Sequence, residues 1–210
     1  MAAKLAHLFL QEISRKCDYG IDLHTAAIGR ENLPQIRARI EDDPHLGELA
    51  SAFGAPVILN SEFREGSLRQ SAAREKCHIL LYEAGEALRF NERSIRAGVK
   101  GIIGVMRELG MLPAVSRSRK PAEPLVARAS TWVRAGRSGI LRMSSALGAR
   151  VRRREVIGII ADPFGQQEQE VTANASGIII GRTNLPLVNE GEAVFNIARF
   201  ESTREAENTV

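Results

Sequence analysis

The stretch His78-Ile79-Leu80-Leu81-Tyr82 is almost unbroken in its apolar character, and it decides the predicted fold. Runs of this kind are typical of parallel strands that are covered on both faces. Pro56-Val57-Ile58-Leu59 forms a second run, and residues 19–24 predict a further short strand. Segments with helical spacing separate the three predicted strands. Alternating helices and strands predict an α/β layered sheet.

Helix boundaries are also legible in this part of the chain. Residues 3–17 predict an amphipathic helix whose apolar side chains are Leu5, Leu8, Phe9 and Ile13. Asp43 and Pro44 predict the start of a helix, and Gly54 predicts its end. Residues 67–76 predict another helix, and Asn91 caps a long one that ends at Gly110. Its predicted inward stripe is Ile95, Val99, Ile102, Ile103, Met106 and Leu109.

The connections give the organisation of the chain. Gly29 and Pro34 predict a loop after the first strand, and the prolines and basic residues of 115–126 predict a linker. The α/β part therefore spans 1–114. Short apolar runs between glycine turns predict a small all-β domain at 127–200, followed by a polar tail at 201–210.

Charge is unevenly distributed. Residues 115–154 carry 11 Lys and Arg against the single carboxylate of Glu123, whereas residues 155–210 carry 3 basic and 9 acidic residues. This pattern favours either polyanion binding or strands of opposite charge that neutralise each other. Trp132 is the only aromatic residue in the basic block, so nucleic acid is disfavoured as a partner.

Three residues on the predicted strands are candidates for chemistry. His24 and Glu83 are predicted at the carboxyl ends of two strands, where ligands bind in open α/β sheets. Histidine there suits a metal ligand or a base, and glutamate suits a general base. Asp22 shares the strand face of His24 and is a candidate to orient its ring. The alternatives are that His24 is an ordinary surface residue without a function and that Glu83 forms a structural ion pair.

Two segments then carry a family resemblance. Asp22-Leu23-His24-Thr25 and Leu81-Tyr82-Glu83-Ala84-Gly85 resemble the D-L-H-T and E-x-G segments of the succinylglutamate desuccinylase/aspartoacylase family. The resemblance extends over nearly the whole chain. It implies a zinc-carboxypeptidase-like α/β domain that hydrolyses an amide or ester bond of a small N-acyl compound. It also implies His24 as a zinc ligand and Glu83 as the residue that activates water.

The resemblance also identifies a departure from the family. The family's other two zinc ligands lie upstream of the D-L-H-T histidine, and the 23 residues before His24 contain no such pair. An N-terminally incomplete α/β domain is therefore expected, and a catalytically inactive remnant or binding subunit is the alternative function. His45 and Glu48 have H-x-x-E spacing but follow His24, which favours a chance match.

Further expectations concern ligands and surroundings. Arg30, Arg37 and Arg69 are candidates for binding a substrate carboxylate, because the guanidinium fork suits bidentate contacts. The β domain resembles a barrel-sandwich half of the lipoyl/biotinyl type. No lysine follows Lys120, which excludes covalent biotin or lipoate. Isolated Cys17 and Cys77 favour a reducing cytoplasm, and no membrane span is predicted. The oligomeric state, including a homo-oligomer, stays open.

Overall fold

The computed structural model describes residues 1–114 and 123–200. Its helices are α1 (Ala2–Glu12), α2 (Pro44–Phe53), α3 (Leu68–Arg74) and α4 (Glu92–Glu108), and a 3-10 turn covers Ser14–Lys16. The strands of the first half are β1 (Tyr19–Ala26), β2 (Arg30–Ala38), β3 (Val57–Asn60) and β4 (His78–Glu86). Those of the second half are β5 (Leu125–Ala127), β6 (Ala129–Arg134), β7 (Gly139–Met143), β8 (Arg150–Val151), β9 (Val156–Ala161), β10 (Gln169–Thr172), β11 (Gly177–Thr183), β12 (Leu187–Val188) and β13 (Ala193–Arg199).

One mixed sheet of nine strands runs through both halves of the chain. Its main path is β1-β4-β2-β11-β13-β6, and β3, β5 and β8 pair beside that path. The pairs β1–β4 and β2–β3 are parallel, whereas β2 is antiparallel to both β4 and β11. A second sheet has the order β10-β9-β7-β12. The predicted α/β class is confirmed in this mixed form.

The loop predicted around Gly29 and Pro34 is wrong. Gly29 makes a turn with positive φ, but β2 starts at Arg30 and passes through Pro34. The β2–β4 register shifts between Asn32 and Gln35, which places the proline at an irregularity of the ladder. Proline is tolerated at such a position because its missing N–H interrupts no regular hydrogen bond there. The strand therefore continues past a residue that predicts a break.

The predicted helix starts are confirmed by their caps. The Asp43 carboxylate accepts a hydrogen bond from the Leu46 N–H at 3.1 Å, with Pro44 in the first helical position. Asn91 and Ser67 cap α4 and α3 in the same way. Each cap satisfies a backbone donor that the helix itself leaves unpaired.

Helix packing differs from the predicted apolar stripes. The buried positions of α4 are mainly the glycines Gly98, Gly101 and Gly104, whereas Ile95 and Val99 are exposed. Glycine lets α4 approach α2 closely, so the helix is buried through its backbone. No residue of α1 is buried, and its apolar face is exposed to solvent. In the described part of the chain, no helix is long and apolar enough to cross a membrane.

The core has three main clusters. One lies between the sheet and helices α2 and α4, and another fills the second half of the chain between the two sheets. The third contains Val57 and Leu59 of β3 together with Ile178 and Ile180 of β11. This third cluster joins the two halves that the sequence predicts as separate domains. Of the predicted linker, residues 125–126 belong to β5, while residues 115–122 lie outside the described residues, as does the tail.

Candidate active site

The parallel pairing of β1 and β4 places His24 directly opposite Glu83. Both residues lie near the carboxyl ends of their strands, which run on to Ala26 and Glu86. Asp22 lies two residues earlier on the same face of β1, and its Oδ2 is 3.1 Å from His24 Nε2. The imidazole side chain is about half exposed, whereas those of Asp22 and Glu83 are largely covered. The sheet thus groups the three predicted residues.

Glu83 is held by a hydrogen bond from Asn32. The Asn32 amide Nδ2 donates to Glu83 Oε2 at 2.7 Å, and Arg37 Nε lies 3.9 Å from Oε1. Both partners come from β2, the antiparallel neighbour of β4. A hydrogen bond to a carboxylate is typically worth about 1.5–3 kcal/mol, so Asn32 fixes this carboxylate firmly. The second oxygen faces a guanidinium at longer range.

Arg69 is the second arginine near this carboxylate. Its side chain is buried and donates to the Ser61 carbonyl and hydroxyl and to the Glu62 carbonyl. Burial lowers the pKa of the Arg69 guanidinium, and the positive charge of Arg37 lowers it further. The carboxylates of Asp22 and Glu83 act in the opposite direction. The two arginines and two carboxylates therefore form one electrostatic group.

Arg30 has different surroundings. Its guanidinium carbon lies over the ring of Trp132 on β6, 5.1 Å from the centroid. Such a stack is a cation–π contact. Of the three predicted arginines, Arg37 and Arg69 are thus brought towards Glu83, while the stack holds Arg30 against β6.

Asn32 and Gly181 are site residues that sequence reasoning missed. Gly181 of β11 pairs with Asn32, and a Cβ added to it would lie 2.9 Å from the Asn32 Oδ1. Glycine therefore leaves the space that Asn32 needs beside Glu83. Asn32 lies eight residues after His24, and its contact with Glu83 arises from the β2–β4 pairing, which the sequence does not predict.

Tyr82 lies on the opposite face of β4 from Glu83. It points towards α4, and its hydroxyl donates to the Ser94 carbonyl at 2.8 Å. Burial raises the pKa of Tyr82 to about 12. A cavity of about 260 Å³ on this side is lined by Ile95 and Val99 of α4, and also by His24 and Glu86. Strand alternation therefore directs Tyr82 and Glu83 to opposite faces of β4.

Outside the His24 group, His45 and His78 each make a pairwise contact with a carboxylate in the described part of the chain. Residues 1–114 and 123–200 contain no group of three or more His, Cys, Asp or Glu residues arranged to hold a metal ion. His45 Nδ1 lies 3.2 Å from Glu48 Oε2 in an exposed pair on α2. His78 contacts Asp43 at 2.5 Å, at the start of β4. The H-x-x-E spacing therefore adds no ligands to the His24 group.

Solved structures resemble this chain over most of its length. The apo ectoine utilization protein EutE (DoeB) from Ruegeria pomeroyi aligns with a TM-score of 0.80 and 20% identity. The alignment covers 94% of this chain and 65% of that one. A succinylglutamate desuccinylase/aspartoacylase from Rhodobacter sphaeroides aligns with a TM-score of 0.78 and 25% identity, over 92% and 62%. Both support the mixed α/β fold.

A curated protein and a protein family are similar in sequence. N-alpha-acetyl-L-2,4-diaminobutyric acid deacetylase from Halomonas elongata is 26% identical over 207 residues, which cover 93% of this chain and 60% of that protein. The chain thus spans about three-fifths of the length of this relative. Residues 1–109, more than half of the chain, match the succinylglutamate desuccinylase/aspartoacylase catalytic domain. The chain therefore belongs to the succinylglutamate desuccinylase/aspartoacylase family.

Proposed function

We propose that this chain contributes to hydrolysis of an amide or ester bond in a small N-acyl compound, with Glu83 as the general base. The hydrogen-bonded Glu83 carboxylate opposite His24 is the observation that carries the proposal. Family membership and the similarity to a deacetylase support the reaction class. A deacylase acts on a water-stable bond, so it needs a group that removes a proton from water and returns one to the departing amine.

Each residue of the group has a proposed task in this reaction. Glu83 takes the proton of the attacking water on one carboxylate oxygen and delivers it to the leaving nitrogen. Asn32 keeps the other oxygen in place through its 2.7 Å hydrogen bond. Arg37 and Arg69 add positive charge for a substrate carboxylate, and Arg30 is kept as a more distant candidate. Asp22 orients the His24 ring through the 3.1 Å contact.

Zinc is the cofactor that the family resemblance implies, with His24 as its ligand in this chain. The described residues do not fit a complete zinc site, because catalytic zinc requires three protein ligands and only His24 meets the family pattern. No step of the proposed proton transfer therefore depends on a metal held by this chain alone. We further propose a zinc-carboxypeptidase-like layering, a barrel-sandwich arrangement of the second half and a cytoplasmic location.

The decisive experiment measures metal content and amine release together. Purified chain is loaded with zinc, analysed for bound metal, and assayed with N-acetyl-2,4-diaminobutyrate, N-succinylglutamate and N-acetylaspartate. Glu83→Gln should reduce amine release at least about 100-fold while metal content is unchanged. Any zinc that the chain retains should be lost in His24→Ala and kept in His45→Ala, in the exposed pair on α2. Release that persists undiminished in Glu83→Gln contradicts the role of Glu83.

A catalytically inactive binding subunit is the second candidate. The incomplete ligand set and the exposed apolar face of α1 favour it. Under this function the zinc-loaded chain binds substoichiometric metal and releases no amine from any of the three substrates. The same measurement therefore separates the two candidates.

A further inference from the structure

A cleft lined by arginines lies at the far end of β11 from Gly181. Its volume is about 580 Å³, more than twice that of the cavity beside Tyr82. Its walls include Arg128, Arg153, Asn174, Ser176, Arg199 and Phe200. Ser176 precedes β11, so the cleft is five residues, or about 17 Å along an extended strand, from the level of Asn32. It is thus separate from the Glu83 group.

The charged side chains among the described residues of the cleft wall are all positive. Three guanidinium groups line it, and no carboxylate is among the described residues of its wall. Arg128 lies 3.7 Å from Glu41, whereas the guanidiniums of Arg153 and Arg199 have no ion pair with any residue of 1–114 or 123–200. A concave surface lined by charges of one sign concentrates the electric field and attracts counter-ions.

The turn that carries Arg153 is held by its backbone. The Arg153 N–H donates to Ser176 Oγ at 2.9 Å, and the preceding Arg152 N–H donates to the Glu155 carboxylate at 2.8 Å. Arg154 adopts a φ of 73°, and its N–H donates to the Ala173 carbonyl at 2.8 Å. A non-glycine residue in the left-handed region is uncommon and is kept there by its surroundings. These contacts hold the arginine backbone at the cleft in one position.

Arginine also limits the chemistry of the ligand. Its planar fork fits phosphate and carboxylate oxygens in pairs, and its charge is permanent. A volume of about 580 Å³ lies in the range of small-molecule sites and exceeds the size of one phosphate. Several guanidiniums around one space favour a ligand with several negative groups. We propose that this cleft binds a small oxyanion carrying two or more phosphate or carboxylate groups.

The test is calorimetric titration of the full chain with two probes, inorganic pyrophosphate and citrate. At least one should bind with 1:1 stoichiometry, and the tighter probe identifies phosphate or carboxylate as the preferred group. Arg153→Ala and Arg199→Ala should each weaken binding at least about tenfold, because each removes a charge-assisted contact worth more than about 1.4 kcal/mol. Arg153→Lys keeps the charge but loses the fork, so it should be intermediate.

A matched control distinguishes a built cleft from a basic surface. Arg152→Ala removes the same charge from the same turn, but Arg152 does not line the cleft and should change the affinity less than twofold. Equal weakening by Arg152→Ala and Arg153→Ala overturns the proposal in favour of a diffuse basic patch. Failure of both probes to bind at millimolar concentration overturns it, as does binding confined to long polyanions such as heparin. Thermal melts of each variant establish that it is folded.

Discussion

Replacing Gly104 by alanine should reduce the free energy of unfolding by about 2 kcal/mol. A Cβ at this helical position would lie 2.3 Å from the Ala52 carbonyl oxygen on α2. Ordinary non-bonded contacts need about 1 Å more, and the obstacle is backbone, which cannot rotate away as a side chain does. The two helices must therefore separate or shift, which places the cost near the upper end of overpacking, about 3 kcal/mol.

Alanine also brings an opposing gain. Its helix propensity exceeds that of glycine by about 1 kcal/mol, so the net loss is about 2 kcal/mol. Gly47→Ala in α2 isolates this gain, because its added Cβ would meet only the Ile40 Cβ at 3.7 Å, an ordinary contact. Gly47→Ala should therefore raise stability by up to about 1 kcal/mol. Both variants replace a helical glycine by alanine, but they should change the free energy of unfolding in opposite directions.

Urea unfolding provides the measurement. Far-UV circular dichroism follows the helices, and the fluorescence of Trp132, the only tryptophan, follows β6. Coincident transitions would justify a two-state fit, and an unchanged m-value would assign the shift to stability. If Gly104→Ala proves as stable as Gly47→Ala, the close approach of α2 and α4 is refuted.

Three further predictions concern single groups. Burial raises the pKa of the Cys77 thiol. At pH 8, iodoacetamide should therefore modify the exposed Cys17 at least about tenfold faster than the buried Cys77. Mass spectrometry measures both rates, and equal rates would contradict this prediction. Hydrogen bonds, first that from the Gly29 N–H, hold the pKa of Glu86 below its usual value. Its contribution to stability is therefore present at neutral pH and lost as the pH falls below about 5, and Glu86→Gln should flatten that loss in acid unfolding. Asp43→Ala should cost about 1 kcal/mol in urea melts, whereas Asp43→Asn, which retains a capping oxygen, should keep most of that stability.

The sequence predicts well what depends on neighbours along the chain. The caps at Asp43 and Asn91 are local hydrogen bonds, so residue type and spacing predict them. The apolar run at 78–82 is long enough to indicate β4 whatever packs against it. The placement of Asp22, His24 and Glu83 on one face follows from strand alternation once the two strands are adjacent.

What the sequence does not predict depends on distant partners. Pro34 indicates a break, yet the register shift of β2 against β4 makes room for it inside a strand. The apolar stripe on α4 favours burial of Ile95 and Val99. The glycine face of α4 is buried instead, because glycine lets this helix lie closer to α2. In each case the structure is decided by a contact with a segment more than 30 residues away. The periodicity of a short stretch of sequence carries no information about such a contact.

The candidate site also depends on a partner that is distant in sequence. Composition separates 1–114 from 127–200, but β11 pairs with β2 and brings Gly181 beside Asn32. Asn32 in turn holds Glu83, so a strand from the second half supports the carboxylate of the first. The opposite end of that strand leads to Ser176 at the arginine cleft. Because one continuous strand borders both places, the second half of the chain is a structural part of the proposed catalytic group and not an appendage to it.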